Sequence, residues 1–192
     1  MIIRDETNEK DFGGDIKSSL DIKFTQFEAR LQEMVNLALR DPNNPEWLET
    51  YVSKSVYGTA KSRAAANGIT DASKFYTCLT LGETIGLIES DAVFEKIFYP
   101  YFSADSEFGY SGTSPKDIEN KIKSGFSEIN KHRKKAMHGG VLKIKAGDRN
   151  LLEANLEKID QCVINAIDQM GGYNDTQDEE GIDDDESEEV EE

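Results

Sequence analysis

Arg133 and His138, with four residues between them, lie near the end of the stretch Ser127 to Gly140, Ser-Glu-Ile-Asn-Lys-His-Arg-Lys-Lys-Ala-Met-His-Gly-Gly. The stretch holds both histidines of the chain, His132 and His138, and a basic run from Lys131 to Lys135. An imidazole titrates near neutrality and can give or take a proton. A guanidinium can hold a phosphate through two parallel hydrogen bonds and stabilise charge that builds up on it. Together they suit cleavage of an RNA phosphodiester. The ribose 2'-hydroxyl can serve as the nucleophile, so no metal is required. The sequence offers no cluster of histidines and carboxylates with metal-ligand spacing, and no cofactor is implied.

Spacing alone leaves a second interpretation open. On a continuous helix five residues turn the chain by about 140°, so Arg133 and His138 would not share a face. They converge if the helix ends between them or if two copies of the chain meet. A lone arginine and histidine at a helix end are more often capping groups than catalysts, because cations favour the negative pole of the helix. Gly139 or Gly140 then supplies a left-handed stop.

The elements that must position this stretch are helical. Phe24, Phe27, Leu31, Met34, Val35 and Ala38 recur at three- and four-residue spacing, the mark of an amphipathic helix. Asp41-Pro42-Asn43-Asn44-Pro45 breaks it. Asn44 as cap, Pro45 in the first turn and Glu46 at the positive pole predict a second helix. It carries Trp47, Leu48, Tyr51, Val52 and Val56, runs to about Ala66 and stops at Gly68. Beyond Phe75-Tyr76, Thr80-Leu81-Gly82-Glu83 has the spacing of a capping box. A catalytic role for Glu83 is thinkable, but capping explains it more simply. A short helix from Ala92 to Phe98 is expected to end at Pro100. Tyr101 to Thr113 predicts the longest internal loop. Its aromatics Tyr101, Phe102, Phe108 and Tyr110 either stack on bases or, the commoner case, pin the loop to the core. Ser114 and Pro115 open the helix that carries the basic stretch, with Ile118, Ile122, Phe126 and Ile129 inward. Val141 to Lys145 alternates weakly. Asp148 predicts the cap of a last helix through Leu151, Leu152, Leu156, Ile159, Val163, Ile167 and Met170, closed by Gly171-Gly172.

Three zones follow: a flexible lead-in at residues 1–21, one helical domain at residues 22–172 and a disordered acidic tail at residues 173–192. The net charge of −16 is concentrated in the tail. Asp175 to Glu192 holds 12 acidic residues and no basic one, leaving 26 acidic against 22 basic residues elsewhere. The tail buries too little apolar surface to offset its ordering entropy. It is either a solubilising tail, the commoner case, or a competitor for a basic surface. Cys78 and Cys162 lie in apolar patterns and match no metal or disulfide framework. No stretch has signal-peptide character, and none approaches the roughly 18 apolar residues that span a bilayer. A cytoplasmic protein without membrane association is the expectation.

From Ile22 to Met170 the ordered segments resemble HEPN domains, whose signature is an arginine followed after four to six residues by a histidine. Ile129-Asn130 resembles the hydrophobic-Asn step before that arginine. Phe75-Tyr76 to Ile88 resembles the tyrosine-leucine-glycine-acidic-isoleucine helix of the variety often appended to larger proteins, with Phe94 and Phe98 as the aromatic pair after it. The family commonly has Asn or another small polar residue directly after the arginine. This chain has Lys134, which can contact phosphate but cannot accept a hydrogen bond.

The resemblance implies an all-α, HEPN-like bundle that forms a homodimer, with the Arg-His sets of both copies in one composite cleft. It implies a metal-independent endoribonuclease that leaves a 2',3'-cyclic phosphate and a 5'-hydroxyl, in a toxin-antitoxin, phage-defence or RNA-processing setting. Arg133 would polarise the scissile phosphate, and His138 would transfer a proton or orient the 2'-hydroxyl. Asn130, Lys131, Lys134 and Lys135 would bind RNA, and a cognate antitoxin or other partner protein would accompany the chain. The alternative is a non-catalytic HEPN-like module for dimerisation or for nucleic-acid or protein interaction, with the acidic tail as a docking element. Mimicry of nucleic acid is a weaker third reading, since the carboxylates crowd into the tail and not onto the body.

Overall fold

The computed structural model describes residues 9–104, 114–137 and 146–171; among them the regular elements are all helical, and the fold is all-α. Phe108, Tyr110, His138, the alternation at Val141 to Lys145 and the acidic tail lie outside the described residues.

Helix α1 spans Glu9–Leu39. It therefore begins within the stretch expected to be a lead-in. Propagating a helix outward from a packed segment costs little once the nucleus exists, and the buried stripe from Leu20 to Leu39 supplies that nucleus. Helix α2, Trp47–Tyr51, follows a turn in which Asn44 Oδ1 accepts the Glu46 N–H at 3.1 Å. The single helix expected to reach Ala66 is in fact two. Val52 is extended, and the Ser53 hydroxyl accepts the Val56 N–H at 3.3 Å, opening α3, Lys54–Ala66. A competent cap inside an apolar pattern restarts the helix in a new direction. Gly68 stops α3 as expected. At φ 73° its N–H donates to the Ala65 carbonyl while that of Ile69 donates to Ala64, a Schellman closure.

A 3-10 turn, Ala72–Cys78, leads into α4, Leu81–Ile88, which the predicted capping box opens. Helix α5, Asp91–Val93, passes into a π turn at Phe94–Phe98 and then into α6, Tyr99–Ala104. Pro100 therefore does not end this segment. Proline has no N–H to give to the helical ladder. The π turn just before it, where the Tyr99 N–H reaches back to the Phe94 carbonyl, resets the hydrogen-bond register and the helical path continues. Helix α7, Pro115–Met137, opens on a capping box: the Ser114 hydroxyl accepts the Asp117 N–H at 3.3 Å, and the Asp117 carboxylate accepts the Ser114 N–H at 3.2 Å. Helix α8 is Ala146–Gln169, so Asp148 lies inside its first turn and is not its cap. Gly171, at φ 84°, follows its end.

The core joins α1, α4, α6, α7 and α8. Helix α8 runs parallel to α1, tied by Lys23–Glu157 and Arg30–Asp160, and antiparallel to α7, where Asn155 donates to Glu128 and Ile159 packs against Gly125. Ile118, Ile122, Phe126 and Ile129 are buried, as their spacing predicts. Phe102 lies nearly parallel to Phe94, with ring centroids 6.2 Å apart, and meets Phe126 edge-on. That residue pins its segment to the core and does not face solvent. Burying one such ring contributes about 1.5–3 kcal/mol. No described helix is long and apolar enough to cross a membrane.

Candidate functional site

Three elements enclose a cleft of about 650 Å³. The α2–α3 junction supplies Tyr51, Val52 and Val56 as one wall. One face of α4 supplies Gly82, Glu83, Gly86 and Leu87. The third wall is the C-terminal part of α7, with Asn130, Arg133 and Lys134. Residues three and four apart share a helix face, which is why these three α7 side chains arrive together. Lys131 is exposed but lines no part of this cleft.

The α4 wall is fixed by its own start. The Thr80 hydroxyl accepts the Glu83 N–H at 3.3 Å, and Glu83 Oε2 accepts the Thr80 N–H at 2.8 Å. Arg63 reaches across from α3 and donates to both Glu83 oxygens, at 2.6 and 3.3 Å, and to the Cys78 carbonyl at 3.1 Å. Burial pushes the Glu83 carboxyl up, but the hydrogen bonds from Arg63 and Thr80 outweigh it and hold it below the usual carboxylate range. Glu83 is thus an ionised structural anchor, as the capping pattern indicated.

Asn130 sits directly against α4. A Cβ on Gly82 would lie 3.2 Å from Asn130 Nδ2 and 3.4 Å from Oδ1, so a side chain there would push the amide aside. Asn130 Oδ1 is buried without a hydrogen-bond partner among the described residues. Arg133 extends toward α1, where its Nη2 donates to Glu28 Oε2 at 2.5 Å. Both side chains are largely buried, at 20% and 16% exposure. A guanidinium has five N–H donors, so one contact to Glu28 does not exhaust it.

Glu28 and Arg63 also border a second cleft of about 470 Å³, and Thr80 borders both. Each ion pair has one member on each cleft: Arg133 and Glu83 on the first, Glu28 and Arg63 on the second. The two pairs therefore form the divide.

The structure brings together Arg133, Asn130 and Lys134 and leaves Lys131 on the outer face. The side chain of Lys135 lies outside the described residues, as does His138. Helix α7 is unbroken from Arg133 to Met137, so the chain does not turn back within those residues. His132 is half-buried, its Nδ1 buried and unpartnered among the described residues. No three His, Cys, Asp or Glu side chains gather as a metal site among the described residues. Sequence inspection missed Glu28, Arg63 and the clear face of α4. The last had a signal: Gly82 and Gly86 are four residues apart within a short helix, where each glycine costs about 1 kcal/mol relative to alanine and so marks a face without side chains of its own, which admits Asn130 at Gly82 and stays open at Gly86.

Set against models of known protein families, curated proteins and solved structures, the chain matches none of them.

Proposed function

We propose that this protein is a metal-independent endoribonuclease of HEPN type that works as a homodimer in the cytoplasm. The observation that carries this reading is the convergence of Asn130, Arg133 and Lys134 on one cleft near the end of α7, with His138 next in the sequence after Met137. In the proposed reaction the ribose 2'-oxygen attacks phosphorus, and the bond to the 5'-oxygen breaks. The 2'-hydroxyl loses its proton and the departing 5'-oxygen gains one, leaving a 2',3'-cyclic phosphate and a 5'-hydroxyl. Arg133 stabilises the charge on the phosphoryl oxygens, and Lys134 adds a point charge beside it. His138 transfers a proton or orients the 2'-hydroxyl. Continuous helix from Arg133 to Met137 favours an active centre completed by a second copy. A toxin or phage-defence setting with a cognate antitoxin belongs to the same proposal.

The ion pair between Arg133 and Glu28 favours a second reading, a non-catalytic module whose arginine is structural. One experiment separates the two: incubation of RNA with purified protein in EDTA, comparing the parent with Arg133→Ala and His138→Ala. Cyclic-phosphate products that vanish in both variants support the ribonuclease. Intact RNA with the parent, across several RNA classes, supports the module. Cleavage unchanged by both substitutions overturns the mechanism.

A further inference from the structure

The cleft is not uniform. Its lining combines two cations, Arg133 and Lys134, with a larger apolar part that includes Tyr51, Val56 and Leu87 along with Gly86. Phosphate alone would need only the first. A pocket of this size, mainly apolar with a few convergent polar groups, has the make-up of a small-molecule site rather than of a flat phosphate-binding surface. Asn130 also lines the cleft, and its buried amide oxygen has no partner among the described residues.

We infer that the apolar part is a nucleobase subsite: it takes one unpaired base of an RNA strand while Arg133 and Lys134 hold the adjoining phosphate. The inference rests on the ribonuclease reading and adds what that reading leaves open, a source of sequence preference. The chemistry of the walls matches each part of a nucleotide. Tyr51 offers an aromatic face on which a base can stack. Gly86 leaves its part of the α4 face open, so a flat ring can approach the backbone there. The Asn130 amide carries both a donor and an acceptor, and a turn of that amide brings its unpartnered oxygen to a base edge. The two cations complement the phosphate. An acidic peptide would satisfy the cations but leave the apolar walls unmatched.

Gly86 allows a clean test. A Cβ there would meet nothing within 4 Å, and the residue has ordinary helical geometry. Gly86→Leu therefore fills the cleft without a clash at the backbone, and it exchanges the poorest non-proline helix former for a good one. Binding of full-length protein is measured to short oligo(A), oligo(C), oligo(G) and oligo(U) whose 2'-hydroxyls are methylated, so that they bind without being cut. Cleavage of the unmodified RNAs is followed in parallel. The parent is expected to prefer one base, and Gly86→Leu to keep a melting temperature at or above the parent's. Gly86→Leu should also bind the preferred oligomer about tenfold more weakly and lose the preference. Tyr51→Ala, which empties the cleft rather than filling it, should weaken the same oligomer and guards against a folding defect in the first variant. If the parent cleaves RNA while both variants keep its affinity and base preference, the subsite is wrong and the ribonuclease stands. If the parent neither binds nor cleaves any oligomer, both fall. If Gly86→Leu disrupts only self-association, the groove belongs to a protein partner and the subsite is overturned.

Discussion

Two arginine–carboxylate pairs divide the clefts, and they are built differently. Arg63 meets both oxygens of Glu83 and the Cys78 carbonyl, and Glu83 also accepts the Thr80 N–H and hydroxyl. Both partners are engaged on several sides. Arg133 meets Glu28 through a single contact, at the end of a helix that also presents Asn130 and Lys134 to the same cleft. Multiply bonded, charge-assisted pairs fix geometry. A singly bonded arginine keeps donors for another acceptor. The first pair is a fixture of the fold; in the ribonuclease we propose, the second is a part held ready.

The largest expected difference between them is in chemistry. Arg133→Ala should lower RNA cleavage by about a hundredfold or more, the scale seen when a donor to developing charge is removed. Arg63→Ala, assayed well below its melting temperature, should keep cleavage within a few-fold of the parent. Equal losses in the two variants would erase the distinction.

Stability should rank them the other way. Arg63→Ala removes hydrogen bonds to a charged, partly buried carboxylate and should lower the unfolding free energy by about 2 kcal/mol. Arg133→Ala removes a single contact where Arg63→Ala removes three, and should lower it by less, about 1 kcal/mol. Urea titrations of both variants read this directly, with a larger shift for Arg133→Ala counting against the comparison.

The contrast also explains what residue order alone disclosed. Thr80-x-x-Glu83 is a local pattern, so the cap and its carboxylate were legible from residue types and spacing. So were the buried positions of α7 and the stop at Gly68, because helical period and left-handed glycine are local rules. Arg63 is 20 residues from Glu83, and Glu28 is 105 residues from Arg133. No local rule reports pairings across such distances. The same limit hid the cleft, since the spacing of Tyr51 and Val56 marks them as core residues, and only the packing of α4 and α7 beside them makes them a wall. Pro100 misled for the opposite reason: a strong local rule was overridden by the π turn that precedes it.

Acid should separate the pairs as well. The folded-state pKa of Glu83 is depressed. Its contribution to stability is therefore complete above the unfolded carboxylate value, about pH 4.3, and is lost as pH falls through the lower folded value. Melting temperatures of the parent and Glu83→Gln should differ most near neutrality and converge at strongly acid pH. A gap that stays constant across that range would mean that the charge of Glu83 contributes little and that its hydrogen bonds, which glutamine partly keeps, set the cap.

The smallest effect tests the second pair from its carboxylate side. Glu28 draws Arg133 toward α1, and any phosphate in the cleft competes with it for the same guanidinium. Glu28→Gln removes the negative charge and keeps the shape. Affinity for a 2'-methylated RNA should rise by about two- to threefold at low salt, and the gain should shrink as added salt screens the lost repulsion. Because Glu28 is largely buried, some of the gain should persist at high salt. A fall in affinity would instead mean that Glu28 orients Arg133 for phosphate, making the pair a positioning device, and Glu28→Asp should then recover part of the loss. Either sign shows that Arg133 serves RNA. No change in affinity, together with loss of stability, would make Arg133 a fixture like Arg63.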